Sequence, residues 1–276
     1  MTSRWADELG FATEVARRAG ALLTDSYERL ERIDYKSKRD VVTNADYASE
    51  RLVIDSIKKR YPGDAILAEE SGEHAGVLRD DGSHNGRTWV IDPLDGTVNY
   101  ANGIPYYCVS IGLVVDDRPR VGVILDPARD DLYDATDDGP ARLDGQPIRA
   151  STKETLSDYV VSLAVIGRGG LMRERRIAPQ IRIHRRMGSA ALSLAYVSNG
   201  RFDAFVQNGG LSPWDVAAAG LIAERSGAVV TGLGGGPWWD PRTGSSRTSI
   251  VAAPPAQHAA LLELLGSLRT SVQTRR

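Results

Sequence analysis

Thr88-Trp89-Val90-Ile91-Asp92-Pro93-Leu94-Asp95-Gly96-Thr97 is the stretch on which the reading of this chain turns. Thr88 to Ile91 are bulky or β-branched and suit a short buried strand. That strand ends on an acid, Asp92. Pro93 fixes the backbone and Gly96 permits a tight turn. Gly96 and Thr97 would then open a turn or helix whose backbone N–H groups can meet a phosphate. The Thr97 hydroxyl can orient a water. Acids and a phosphate cradle within a few residues of each other are what metal-assisted hydrolysis requires.

Working outward, other acids also stand where regular elements stop. Ala65 to Ala68 reads as a second short strand, followed by Glu69-Glu70, of which Glu70 is taken as the candidate. Thr43 can cap a helix with Asp46 three residues on, a capping-box spacing. Pro213 suits the first turn of a later helix, and Asp215 falls within that turn. Each acid alone is commonly a cap, a turn residue or a solvated strand end. Together, Asp46, Glu70, Asp92, Asp95 and Asp215 would form a cage of oxygen donors without His or Cys. Such a cage suits Mg²⁺ or Mn²⁺. Without a cation the carboxylates would repel one another strongly.

The remaining pattern mixes helices and strands. Trp5, Leu9, Ala12, Val15, Ala16, Ala19, Leu22 and Leu23 recur at helical spacing and predict a helix over 4–30. Residues 71–87 read as a long loop, a type that is often functional. Alternation from Cys108 to Val115, then Val121 to Leu125, Leu132-Tyr133 and Ala141 to Leu143, predicts antiparallel strands. Asp116-Asp117 and Asp144-Gly145 read as turns. Beyond about Ala150 come a strand (159–166), a basic stretch (168–186), a helix (189–198), a strand (202–206), a glycine loop, a helix (213–226), two strands and a closing helix (255–268). The mixed order predicts a layered α+β architecture rather than a doubly wound sheet. The halves 1–150 and 151–276 are expected to form one compact unit, the first carrying most of the acids and the second Asp215.

Composition narrows the function classes. The chain has 276 residues, 42% apolar and 25% charged, an ordinary globular profile. Lys and Arg number 34 and Asp and Glu 36, so the formal charge is −2. Neither nucleic acid nor an acidic membrane is expected as the main partner. Cys108 is the single cysteine, so no intrachain disulfide forms. No apolar run reaches spanning length, and acids occupy the N-terminal stretch where a signal peptide would be apolar. A cytoplasmic location is expected.

At this point four ordered motifs resemble those of the inositol monophosphatase family. Trp89 to Tyr100 is similar to its first signature and Ser212-Pro213-Trp214-Asp215-Val216-Ala217-Ala218-Ala219-Gly220 to its second. Val42-Thr43-Asn44-Ala45-Asp46 and Ala68-Glu69-Glu70-Ser71-Gly72 resemble two further motifs, so the likeness runs from about Lys36 to Gly227. The resemblance implies a layered αβαβα sandwich of the inositol monophosphatase and fructose-1,6-bisphosphatase type, and a homodimer. It implies one Mg²⁺ on Glu70, Asp92 and the Leu94 carbonyl, a second on Asp92, Asp95 and Asp215, and a weaker third sharing Glu70. It further implies in-line attack on a phosphate monoester by a water that Glu70 and the Thr97–Asp46 pair steer, and sensitivity to lithium.

For substrate contacts the resemblance implies Asp95, Gly96, Thr97, Asp215 and the small-residue turn Gly188-Ser189-Ala190. Where the family has a Glu seven residues before the second-signature Asp, counting back from Asp215 gives the neutral Asn208, and Ser212 replaces a His or Arg. Inositol monophosphate or a related polyol or sugar phosphate is therefore expected ahead of cationic histidinol phosphate. The run Arg168, Arg173, Arg175, Arg176, Arg182, Arg185 and Arg186 could hold a second phosphate, as on fructose 1,6-bisphosphate or a nucleotide bisphosphate, or be a solvated face. Two rival readings fare worse. Haloacid dehalogenase chemistry needs acids spaced D-x-D, whereas two residues separate Asp92 from Asp95. A purely ribosome- or transcription-associated interaction protein would be marked by loss of a metal acid, and all are present. Cys108 is expected to be a packing residue, His74 and His84 solvated loop residues, and Gly232 to Gly236 a turn.

Overall fold

The computed structural model describes residues 3–27, 33–37, 40–78, 84–165, 169–240 and 248–266. The chain opens with helix α1 (Ala6–Ser26), strands β1 (Ile33–Ser37) and β2 (Asp40–Thr43), and helix α2 (Asn44–Arg60). Strands β3 (Ala65–Ala68), β4 (Gly72–His74) and β5 (Arg87–Asp95) follow, then the short helix α3 (Thr97–Ala101). An antiparallel series comes next: β6 (Cys108–Val115), β7 (Arg118–Asp126), β8 (Asp131–Thr136), β9 (Arg142–Leu143) and β10 (Gln146–Pro147). The second half runs β11 (Val160–Ala164), α4 (Gly170–Ile177), β12 (Ile183–Arg185), α5 (Ala190–Ser198), β13 (Ala204–Leu211), α6 (Pro213–Arg225), β14 (Val229–Thr231), β15 (Thr248–Ala253) and α7 (Pro255–Gly266).

These elements build five layers. An eight-stranded sheet has the order β10-β9-β8-β7-β6-β5-β3-β4, and a five-stranded sheet the order β12-β11-β13-β15-β14. Alternate side chains of a strand face opposite sides, so a sheet covered on both faces is apolar on both. Thus Val109, Ile111 and Leu113 of β6 pack with Ala12, Val15 and Val53 of α1 and α2. Cys108 and Ile124, on the other face, join Leu192 of α5, Ala218 of α6 and Phe205 of β13. Beyond the small sheet, Val161, Ala204 and Val206 meet Ile177 of α4 and Leu261 of α7. Helices α5 and α6 are therefore a middle layer between the two sheets, and the whole is an αβαβα sandwich.

The middle layer lies unusually close to the large sheet. A Cβ on Gly122 of β7 would fall 2.6 Å from the Ala218 carbonyl oxygen, and one on Gly112 of β6 would fall 3.2 Å from Ala217 Cβ. Small residues on both sides bring α6 down onto β6 and β7, and its N-terminus with it.

Several element boundaries differ from the sequence expectation. Helix α1 stops at Ser26, where Tyr27 turns extended; the expected continuation over 28–30 lies outside the described residues. Part of the expected loop 71–87 is strand β4, paired antiparallel with β3. The expected glycine loop after 206 is instead the end of β13, which continues as a bulged strand to Leu211. The expected capping box of α2 is present: Asp46 Oδ2 accepts the Thr43 N–H at 2.8 Å. Asp116, Asp117 and Asp144 hold positive φ in the two expected turns. Gly232 to Gly236 is a turn closed by its own backbone bonds.

Candidate active site

Asp92 and Asp95 stand three residues apart, a spacing that in a regular strand would send them to opposite faces. They nevertheless share one face. Asp92 pairs with Ser110 and Asp95 with Cys108, three steps on β5 against two on β6. The extra residue is a bulge at Pro93-Leu94, where proline has no N–H to give the ladder. Strand β5 therefore does not end at Asp92, as the sequence suggested, but kinks and continues to Asp95.

One carboxylate oxygen each from Asp92, Asp95 and Asp215 lies within 4.8 Å of the others. Asp215 reaches this point from the first turn of α6, where its Oδ2 also accepts the Ser212 N–H at 2.6 Å. It is a helix-capping residue and a site residue at once. Asp92 is buried and its Oδ1 accepts the Leu94 N–H at 3.0 Å. Asp95 Oδ2 accepts the Ser189 hydroxyl and the Ala191 N–H, both at 2.7 Å.

Burial pushes the carboxyls of Asp92 and Asp215 well above the ordinary range, and repulsion from the neighbouring acids pushes them further. Asp95 is raised by burial too, against the pull of Ser189 and the N–H groups opening α5. Among the described residues no lysine or arginine pairs with these three acids. A buried, uncompensated set of oxygen donors fits a hard divalent cation such as Mg²⁺.

The fourth acid is not the one chosen from sequence. Glu69, rather than Glu70, hydrogen-bonds Asp92 and repels both Asp92 and Asp215. The reason is register. Strand β3 runs parallel to β5 with Ala68 opposite Ile91, so the next step sets Glu69 beside Asp92. The Glu70 backbone N–H instead points to α2, where Glu50 Oε2 accepts it at 2.8 Å.

The expected Thr97–Asp46 pair is formed. Thr97 Oγ1 lies 2.9 Å from Asp46 Oδ1 and 3.0 Å from the Leu94 carbonyl. Thr97 opens α3, and Gly96 before it has φ 103°. A Cβ there would meet the Tyr106 carbonyl at 3.0 Å, so the turn needs glycine.

A cavity of about 340 Å³ adjoins the acids. Asp95, Asp215, Gly188, Ser189 and Ala190 all line it, bringing together five of the expected substrate residues. Asn208 does not line it; Gln207 does, with Ser162 and Gly210. Counting back from Asp215 missed this because β13 is bulged: four steps from Gln207 to Leu211 face two on β15. Gly209 and Gly210 absorb the slack at φ 131° and 77°. The glycine pair is the one sequence signal that could have warned of the slip. Larger clefts, such as the one of about 790 Å³ beside Trp238, carry none of the three acids.

The basic stretch contributes one residue to the cavity wall, Arg186. Arg182 pairs with Asp158 and Arg186 with Glu174, while Arg168 lies outside the described residues. Cys108 is buried, 4.0 Å from Asp95 Oδ2, and its thiol is raised well above the usual range by burial and the acids.

Known proteins match this arrangement over most of the chain. The model of the inositol monophosphatase family matches residues 5–270. The Nus factor SuhB of Escherichia coli is 37% identical over 244 residues, 83% of this chain and 86% of the relative. Inositol monophosphatase 3 of Solanum lycopersicum is 32% identical over 80% of this chain and 84% of its own length. Among solved structures, the extragenic suppressor protein SuhB of Bartonella henselae superposes with TM-score 0.85 at 30% identity, covering 94% of this chain and 98% of its own. The inositol monophosphatase of Anabaena does so with TM-score 0.79 at 34% identity, covering 96% and 97%. With its layers, its motifs in order and its acids converging at the strand ends, this chain belongs to the inositol monophosphatase family.

Proposed function

We propose that the chain is a Mg²⁺-dependent phosphatase that hydrolyses a small, neutral polyol or sugar phosphate monoester. One observation carries the reading: of three convergent carboxylates without a cationic partner, Asp95 and Asp215 line a cavity whose other polar side chains are Ser162, Ser189, Ser193, Gln207 and the cationic Arg186, with no further acid. Asp92, Asp95, Asp215, Glu69 and the Leu94 carbonyl would hold the metal, with Glu69 in the place first given to Glu70. Two or three bound Mg²⁺ ions would neutralise the acids and polarise the phosphate.

The chain's own residues supply positioning. Asp46 and Thr97 form one proton-sharing unit: with its proton directed to Asp46, the Thr97 hydroxyl is left to accept a hydrogen bond from an attacking water. Ser189 and the N–H groups opening α5 hold Asp95 in a single orientation. Gln207 and Ser162 can bond hydroxyls of the leaving group without bringing charge, which disfavours cationic histidinol phosphate. The halves 1–150 and 151–276 work as one unit, since the second supplies Asp215. Exposed Leu171, Met172 and Ile183 suit self-association as a homodimer. No described helix is long and apolar enough to cross a membrane.

A second reading comes from the relatives named as Nus factors: an interaction role that needs no hydrolysis. The complete acid set favours catalysis. The deciding experiment is phosphate release with Mg²⁺ across inositol, sugar, histidinol and nucleotide phosphates. Turnover of a polyol or sugar monoester is the expected result; no release from any of them would overturn the catalytic reading.

A further inference from the structure

The first two turns of α2 present three polar side chains to the acid site, and each holds a different piece of it. Asp46 Oδ1 accepts the Thr97 hydroxyl. Ser49 Oγ donates to the Pro93 carbonyl at 3.0 Å, at the bulge between Asp92 and Leu94. Glu50 Oε2 accepts the Glu70 N–H at 2.8 Å. Residues three and four apart share a helix face, so 46, 49 and 50 form one continuous polar edge.

Glu50 is only 3% exposed, and neither the fold nor the chemistry of the acid cluster otherwise calls for a carboxylate there. A buried carboxylate costs free energy, more so near other acids, unless it is well bonded. Here it is spent on one peptide, the one joining Glu69 to Glu70. Holding that N–H fixes the plane of the peptide and with it ψ of Glu69. The direction of the Glu69 side chain towards Asp92 is thereby set from behind.

We propose that Glu50 is a positioning residue that, by holding the Glu69–Glu70 peptide through its Oε2, aims the Glu69 carboxylate at Asp92 and so sets the affinity of the metal site. The inference rests on the metal-dependent reading above. Partners of this kind, one step removed from a metal, typically change affinity or activity by about 10- to 100-fold when removed.

Three variants test it. Glu50→Met keeps the length but offers no oxygen; Glu50→Gln keeps an acceptor and drops the charge; Glu50→Asp keeps the charge and withdraws it from the N–H. Mn²⁺ binding to the metal-free protein is followed by calorimetry, with no turnover involved, beside the Mg²⁺ concentration for half-maximal phosphate release. Glu50→Met and Glu50→Asp should each weaken both by about tenfold or more, while KM for substrate at saturating Mg²⁺ stays put. Glu50→Gln should remain within about threefold of wild type, because an amide oxygen still accepts the N–H. Wild-type metal affinity in Glu50→Asp, or equal loss in Glu50→Gln and Glu50→Asp, overturns the inference. If the wild-type chain itself neither binds Mn²⁺ nor releases phosphate, the metal-dependent reading has failed instead.

Discussion

The two sheets approach the cavity in different ways. From the large sheet come the ends of β3 and β5, and their acids are over-determined. Asp95 is held by a hydroxyl and a helix-end N–H, Asp92 by the Leu94 N–H, and the Glu69–Glu70 peptide by α2. From the small sheet comes the tail of β13, where the register slips and two glycines sit at positive φ. There Gln207 Nε2 donates to the Gly209 carbonyl at 3.2 Å, a contact within the bulge itself. The acid end of the cavity is thus braced from several elements, and the opposite wall is shaped by a local backbone irregularity. Such a division lets selectivity change without disturbing the chemistry.

The strongest way to break this contrast is to remove an acid from the braced side. Asp95→Asn should lower kcat by at least about a hundredfold while the circular dichroism spectrum stays native. Mg²⁺ should raise the melting temperature of the wild type and not of this variant. Near-normal turnover in Asp95→Asn would remove the site from consideration. Because an interaction role needs no hydrolysis, binding to a partner should survive this change.

Next in size is the proton-sharing pair. Thr97→Val keeps the shape and deletes the hydroxyl that bridges Asp46 and the Leu94 carbonyl. A fall in kcat of about 10- to 100-fold with little change in KM is expected. An equal rise in KM would show that Thr97 binds substrate rather than orienting water.

The hinge between the two sides is the turn before α5. Gly188 has φ 83°, and a Cβ there would fall 2.9 Å from the Asn99 side chain. Asn99 in turn donates to the Met187 carbonyl at 2.7 Å and the Tyr106 carbonyl at 2.8 Å. Gly188→Ala should cost about 1–3 kcal/mol, read as a lower denaturant midpoint. A midpoint equal to wild type would show the turn to be more adaptable than its packing suggests.

On the bulged side the expected effects are smaller in rate and larger in ranking. Gln207→Glu should shift preference towards cationic leaving groups such as histidinol phosphate, with the best kcat within about tenfold. Asn208→Glu should leave the ranking unaltered, since that side chain is off the cavity wall. The reverse outcome would restore the count made from sequence.

The smallest effect belongs to the far face of the small sheet. Burial lowers the His258 pKa below its ordinary value, and its Nε2 lies 3.0 Å from Thr231 Oγ1. The folded state therefore favours the neutral ring. Its contribution to stability is present above the unfolded pKa and is lost as pH falls through the folded one. Denaturant melts taken from neutral pH downward should show a slight loss that disappears in His258→Gln. An identical loss in that variant would assign the effect to other groups.

Much of this molecule could be read directly from residue types. Thr43-x-x-Asp46 and Ser212-x-x-Asp215 signal their capping boxes because capping depends on neighbours in the chain. A layered α+β architecture follows from the mixed order of strands and helices, while the five-layer order is what the family resemblance implies. What escaped were the consequences of pairing. Glu69 and Glu70 are chemically identical neighbours, and only the alignment of β3 against β5 distinguishes them. Gln207 and Asn208 differ by one step, and only the slip of β13 against β15 says which of them lines the cavity.

The sequence by itself determined the oxygen-only donor set, the acids at element ends, the glycine that allows the Gly96 turn and the family to which the chain belongs. All of these are properties of local spacing and residue chemistry. The tertiary structure decided which acid of a pair faces the cluster, that a proline bulge returns Asp95 to the face of Asp92, and that Gly112 and Gly122 let α6 carry Asp215 down to both. Those outcomes depend on register between strands far apart in the chain, and a one-residue change of register turns a side chain to the opposite face.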